Sequence, residues 1–450
     1  TAAISLGTAT TGLTLPTVLW DGSTSGAAPT SGNIGNAIFK PGFAMITVGS
    51  AAQTGYIYVD TANTDNFVFT SPLTLQTSIA GTYIVYLRGV ISDAYRLLGQ
   101  GYATANLTIK GLDSSTTIRN DVGAITINTT GSQSYTGIYM QGNWTLSASG
   151  ANANITFANI NSSAAFTLNA TAYNNIVFRS GASIAPTASA STNFTFTAQT
   201  GNVIFGQGVS FSSAGSNFTF QGLTLDASAG GLSMTTGTGV LTLISDNFLL
   251  FALNDKFVGT NGIVNIQPYS ILTSIGVNTN MCVSNGAAVS CTTSLPGTLS
   301  ASFQNFNLIR IGSSAAMGGI TLNNPNTGGT INLISSLELI QSSNTGSVGQ
   351  ISFNGTVNIG DSSYNYNNTT TNNTYGVTAT NWIESLRAQT AGGITLNGNI
   401  SAYNSIVLQG YISQIAPAVS ISTQTYATNR GIISLGGTAT ANTALYNASN

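Results

Sequence analysis

The sequence predicts an all-β protein: a parallel β-solenoid with an N-terminal β cap or small β domain. Three observations predict it. Short alternating segments of one local formula recur for hundreds of residues, aliphatic residues fall at a fixed interval, and charge is nearly missing.

The recurring segments are "ITINTT" from Ile125, "NITFANI" from Asn154, "AFTLNAT" from Ala165, "NIVF" from Asn175, "NFTFTA" from Asn193, "NVIF" from Asn202 and "NFTFQGLTL" from Asn217. Each has an apolar-polar-apolar core, and the next follows about 8 to 11 residues later, after Gly, Asn, Ser or Ala. Sandwiches and propellers share that spacing. Repetition of one formula over so long a stretch favours stacked, quasi-equivalent coils.

The interval is clearest in "GGITLNGNISAYNSIVLQGYISQIAPAVSIS", where Ile394, Ile400, Ile406 and Ile412 lie six apart. An even spacing keeps all four on one parity, so consecutive short strands can each aim one branched side chain inward. Gly and Asn between them let the backbone turn corners. Coils of about 20 to 25 residues stacked about 4.8 Å apart would make a rod on the order of 70 Å long.

Charged residues are 5% of the 450-residue chain while 42% are hydrophobic, so the chain has the means to build a core. Stacked coils explain the deficit, because identical charges would sit about 5 Å apart whereas Asn, Ser and Thr form hydrogen-bonded ladders. A net charge of −2 with scattered Lys and Arg argues against nucleic acid. No apolar run is long enough for a membrane-spanning helix. The start at Thr1, with neither initiator Met nor signal peptide, reads as a mature or excised product.

Residues 1–100 differ in texture. Pro16, Pro29, Pro41 and Pro72 concentrate there, and the strand-like runs are longer, so this part is expected to be the cap or an assembly region, with the solenoid over 101–450. Solenoid ends expose unpaired strand edges. The uncharged "TAAISLGTATTGLTL" offers Ile4, Leu6, Leu13 and Leu15 for donation to a neighbouring molecule. The alternative is that it closes its own solenoid.

The two cysteines, Cys282 and Cys291, bracket "CVSNGAAVSC", which reads as a hairpin insertion turning at Asn285-Gly286. Its ends would face each other, and a disulfide between them is expected, implying an oxidising compartment.

Chemistry-bearing residues are few. With no His, a Ser-His-Asp triad and His-bearing zinc sites are excluded. Carboxylates group as Asp60 with Asp65, Asp113 with Asp121, and Asp246 with Asp255. The best enzymatic candidate is Asp113/Arg119/Asp121 with Lys110, which could serve a polysaccharide lyase or glycosidase. Solvated corner residues are the stronger reading, and no catalytic residue, metal or cofactor is expected. Asn-x-Ser/Thr triplets, as at Asn106, Asn143, Asn193, Asn217, Asn354 and Asn399, are no more frequent than so much Ser and Thr would produce by chance. Only Asn367, Asn368 and Asn372, in the polar run "NYNNTTTNNTYG", stand out as candidate glycan acceptors. Thr-rich strands also bring ice-binding solenoids into view, but the Thr offset drifts from segment to segment, which argues against a regular array.

The second half carries a resemblance. "GTNGIVNIQPYS" from Gly259, "SIGV" from Ser274, "FNLIRIGSSAAMGGITLNN" from Phe306 and "AGGITLNGNIS" from Ala391 resemble repeats of the filamentous haemagglutinin family, which includes secreted exoproteins and autotransporter passengers. The resemblance covers about residues 235 to 435. It implies a right-handed parallel β-helix and a surface adhesin or exoprotein; the family's secretion domain is not recognisable in residues 1–100. The expected function is an extracellular structural or adhesive solenoid at the cell surface, self-assembling into a filament or layer or part of a long adhesin. Expected partners are further copies of the chain and a host or surface glycan or protein. The alternative is a polysaccharide-degrading β-helix enzyme.

Overall fold

The computed structural model describes residues 4–6, 13–14, 44–50, 52, 57–59, 66–68, 72–77, 85–87, 90–92, 106–110, 118–120, 123–186, 192–250, 255–277, 281–284, 287–290, 294–295, 303–323, 328–333, 335–341, 349–360, 385–402, 405–415, 419–423 and 432–436. Among these there is no helix; the chain is all-β, built from parallel ladders with regular neighbours, a parallel β-solenoid. It divides into two compact units, Thr1–Ser233 and Met234–Asn450.

In the N-terminal unit each coil contributes three short strands to three walls. The first wall stacks Ile46–Gly49, Leu73–Gln76, Leu107–Lys110, Gln133–Tyr135, Ile155–Phe157, Ile176–Phe178, Asn202–Phe205 and Thr224–Asp226. The second stacks Ile57–Val59, Val85–Leu87, Ile118–Asn120, Ile138–Met140, Ile160–Ser162, Ser183–Ile184 and Ser210–Ser212. The third stacks Asn66–Val68, Val90–Ser92, Ile125–Thr129, Trp144–Ala148, Thr167–Ala172, Asn193–Ala198 and Asn217–Gln221. Every pairing is parallel. The ladders of Leu73–Gln76, Val85–Leu87 and Val90–Ser92 continue in parallel register into Leu107–Lys110, Ile118–Asn120 and Ile125–Thr129.

Gln133 pairs with Ile155, Ile155 with Ile176, Ile176 with Val203 and Val203 with Leu225, steps of 22, 21, 27 and 22 residues. Corners absorb this variation while strands keep register. Inward positions are apolar and dry. Phe157, Phe178 and Phe205 stack down the first wall, Phe196 over Phe220 down the third, and Phe211 enters from the second, all under 2% exposed. Rings repeat at the coil spacing, so offset stacking adds to burial.

Asparagine holds the corners. The backbone N–H of Asn175 donates to Asn154 Oδ1 (2.9 Å), and that of Asn202 to Asn175 Oδ1 (2.8 Å). Ser132 donates likewise to Asn106 (2.8 Å), Thr167 to Asn143 (2.8 Å) and Ser183 to Asn159 (2.9 Å). Each bond satisfies an amide where the chain leaves a corner. One polar group inside the core is also satisfied. Gln133 donates to Thr129 Oγ1 (3.0 Å) and the Ser147 carbonyl (2.7 Å), and it accepts from Tyr135 Oη (2.8 Å). Burial pushes the Tyr135 phenol well above its ordinary range, keeping it a donor.

The C-terminal unit is also three-walled, but several of its strands are long enough to round a corner. Ser385–Leu396 pairs at its start with Ser336–Ile340 and at its end with Ile351–Phe353. Ser405–Ile415 then covers it from Ser385↔Ser405 to Leu396↔Ile415, with a register shift at the bend. The remaining wall stacks Thr330–Leu333, Thr356–Ile359, Ile400–Ala402 and Ile421–Thr423.

This explains the isoleucine interval. Ile394, Ile400 and Ile406 fall on three successive walls and are each 0% exposed, pairing with Ile351, Val357 and Leu386 of the preceding coil. Ile412 returns to the first of these walls, directly over Ile394, and is half-buried. Three walls at six residues each make one short coil of 18 residues.

Met281–Ser284 and Ala287–Ser290 form the one antiparallel pair among the described strands. Its register sets Cys282 opposite Val289. Cys291 lies outside the described residues.

Candidate binding surface

With the inner face given to core and the corners to asparagine, chemistry is left to outward side chains. Parallel register places these in files running from coil to coil. On the third wall of the N-terminal unit one file reads Thr126, Thr145, Asn169, Thr195, Thr219. Two residues further along each strand a second file reads Asn128, Ser147, Thr171, Thr197, Gln221. On the other side lie Asn143, Thr167, Asn193 and Asn217, where Asn217 Nδ2 donates to Asn193 Oδ1 (2.8 Å). None of these side chains is buried and none is charged. Files are about 6.6 Å apart along the strand and coils about 4.8 Å apart. Register aligns Thr126, Thr145, Thr195 and Thr219, while the intervening coil carries Asn169 in this file and its threonines, Thr167 and Thr171, one outward position to either side, so the Thr offset expected from sequence persists at that coil.

The described charged residues of this unit, Lys110, Arg119, Arg179 and Asp226, stand on or beside the other two walls. Arg119 pairs in register with Tyr86 and Tyr139, its guanidinium 5.0 Å from the Tyr139 ring centroid. That is a cation–π stack between coils. Arg179 Nη2 donates to Ser134 Oγ (2.8 Å) across two coil steps. Asp113 and Asp121, expected beside Arg119, lie outside the described residues, as do Asp60 and Asp65. Asp246 accepts from the backbone N–H of Ser270 (2.8 Å) and from its hydroxyl, which is a corner role. No cluster of metal-ligating residues occurs among the described residues, and no helix long and apolar enough to cross a membrane occurs among them.

The C-terminal unit carries a charged ladder that sequence reading missed. Asn265, Arg310, Glu338 and Arg387 are register partners in successive strands. Arg310 Nε donates to Glu338 Oε2 (2.6 Å) and Arg387 Nη1 to Glu338 Oε1 (3.3 Å). Arg310 also donates to Asn265 (3.3 Å), and Arg387 to Gln389 (3.1 Å) and Gln409 (3.2 Å). Alternating sign turns stacking from a penalty into an attraction. The signal was present as "IRI", "LEL" and "LRA", one apolar-charged-apolar triplet at the same coil position.

Glu338→Ala is expected to cost about 1–2 kcal/mol, the low end for charge-assisted bonds because Arg310 and Arg387 are 34% and 48% exposed. Glu338→Gln should cost less, and high salt should shrink the difference. Denaturant titration of the three proteins checks this.

The Asn-x-Ser/Thr triplets acquire a structural meaning. Asn106, Asn143 and Asn399 accept backbone N–H groups of the next coil, Asn193 pairs with Asn217, and Asn354 accepts from Asn397 (3.0 Å). Except at Asn354-Gly355-Thr356, these triplets are an Asn at or beside a strand start, an inward apolar residue and an outward hydroxyl. Asn367, Asn368 and Asn372 lie outside the described residues. Comparison with known protein families, with curated proteins and with solved structures finds no match for this chain.

Proposed function

We propose that this chain is an extracellular structural or adhesive β-solenoid that assembles into a surface filament or layer, or forms part of a long adhesin. The observation supporting this reading is the use made of several of the described charged side chains. Arg310, Glu338 and Arg387 link three coils, Arg179 reaches across two coil steps, Arg119 stacks on Tyr139, and Asp246 holds a corner. Groups tied between coils serve the stack rather than proton transfer to a substrate. A hairpin closed by Cys282 and Cys291 belongs to the same reading, since a disulfide persists outside the cytoplasm.

Assembly has a candidate strand. Ile4–Leu6 pairs parallel with Ile57–Val59 of its own chain, and Leu13–Thr14 pairs outside it; Leu15 lies outside the described residues. The same pairing made to a neighbour would join molecules head to tail, an arrangement that does not close and so propagates. Electron microscopy of the purified chain is expected to show filaments or layers, and deletion of residues 1–15 to leave folded monomers. Filaments formed equally well by the truncated chain would exclude strand donation. Release of unsaturated sugars or new reducing ends from a polysaccharide panel would overturn the non-enzymatic reading.

A further inference from the structure

We propose that the third wall of the N-terminal unit binds an extended, uncharged, β-linked polysaccharide along the solenoid axis, about one sugar per coil. This deepens the adhesive reading and rests on it.

Repeat, charge and chemistry point the same way. The files advance by one strand spacing per coil, about 4.8 Å, close to the rise per sugar of an extended β-linked glycan. From Thr126 to Thr219 the array offers the same kind of contact at five successive coils. The described residues of the wall carry no charge, while Lys110, Arg119, Arg179 and Asp226 stand on or beside the others. A neutral polymer can therefore lie along it without stripping water from an unpaired ion, and an acidic one finds no cation to meet.

Thr, Ser, Asn and Gln supply both donors and acceptors in every row, which matches sugar hydroxyls that are both. Each such bond replaces one with water and gains little alone. Affinity must come from repetition along a polymer, so a single sugar should not bind measurably. The strands already hold these side chains, and Thr is stiff at χ1, so little freedom is lost on binding.

The test is co-sedimentation of the full chain with microcrystalline cellulose and with chitin, alongside immobilised polygalacturonate and soluble monosaccharides. Retention by at least one neutral polymer is expected, with no retention on polygalacturonate and no competition by glucose or N-acetylglucosamine. Thr145→Lys with Thr195→Lys places two outward charges in the middle file and should weaken retention tenfold or more, while circular dichroism and thermal unfolding stay close to the parent. Thr108→Lys, outward on the first wall, should leave retention unchanged. Equal retention of the double variant, preference for polygalacturonate, or adsorption to growing ice without any glycan binding would each overturn the proposal. Filaments seen by microscopy without glycan retention would overturn this inference and leave the assembly reading standing. Glycan retention without filaments would do the reverse.

Discussion

Phe178→Ala is expected to destabilise the N-terminal unit by about 3–5 kcal/mol, the largest effect of any single truncation considered for this protein. Phe178 is 0% exposed, and its ring meets rings from all three walls. Phe157 and Phe205 lie at 5.7 and 5.5 Å on its own wall, Phe196 and Phe220 at 4.9 and 6.1 Å from the third, and Phe211 at 5.1 Å from the second. Removing it opens a cavity that neighbours pinned in register fill poorly. Because coils touch mainly their neighbours, the loss should be felt first in the flanking coils. Hydrogen exchange should show early opening of residues 155–221, and Phe178→Leu should recover much of the loss. A change below about 1 kcal/mol would mean that the aromatic column is not packed as described.

The isoleucine series makes the second large prediction. Ile394→Ala, Ile400→Ala and Ile406→Ala should each cost about 2–5 kcal/mol, since all three side chains are fully buried on different walls of the same turn. Ile412→Ala should cost clearly less, because this side chain, although stacked on Ile394, is half-buried. Four denaturant titrations decide the matter. An equal cost at all four positions would contradict the burial difference, and a negligible cost at Ile400 or Ile406 would contradict the three-walled turn.

Much of the fold was legible because its inward face repeats. The alternating segments from Ile125 to Gln221 are the strands observed, and the sixfold Ile interval is one wall per step. Register was not legible. It depends on corner lengths, which make the coil repeat vary between 21 and 27 residues, so a fixed-period reading does not show that Thr145, Asn169 and Thr195 share one file. The difference at residue 100 has the same origin. Longer intervals between strand-like segments make residues 44–92 look unlike later coils, yet Leu73–Gln76 pairs in register with Leu107–Lys110.

The surface was less legible than the core. Stacking brings Arg310, Glu338 and Arg387 together from positions 28 and 49 residues apart, a relation that local patterning does not register. The argument that stacked charges are costly holds for like charges, and here the ladder alternates. Asn106, Asn143 and Asn193 were weighed as glycan acceptors because a triplet in sequence does not show that its amide is already bonded to another Asn or the next coil.

The central claim is that residues far apart in sequence are stacked in register, and one distance tests it. With Cys282→Ser and Cys291→Ser, spin labels at Thr126→Cys and Thr219→Cys sit four coil steps apart in one file. The stack predicts a narrow distribution between backbone positions near about 19 Å, four strand spacings of about 4.8 Å. A broad distribution, or a sharp one far from that value, would contradict the parallel solenoid itself.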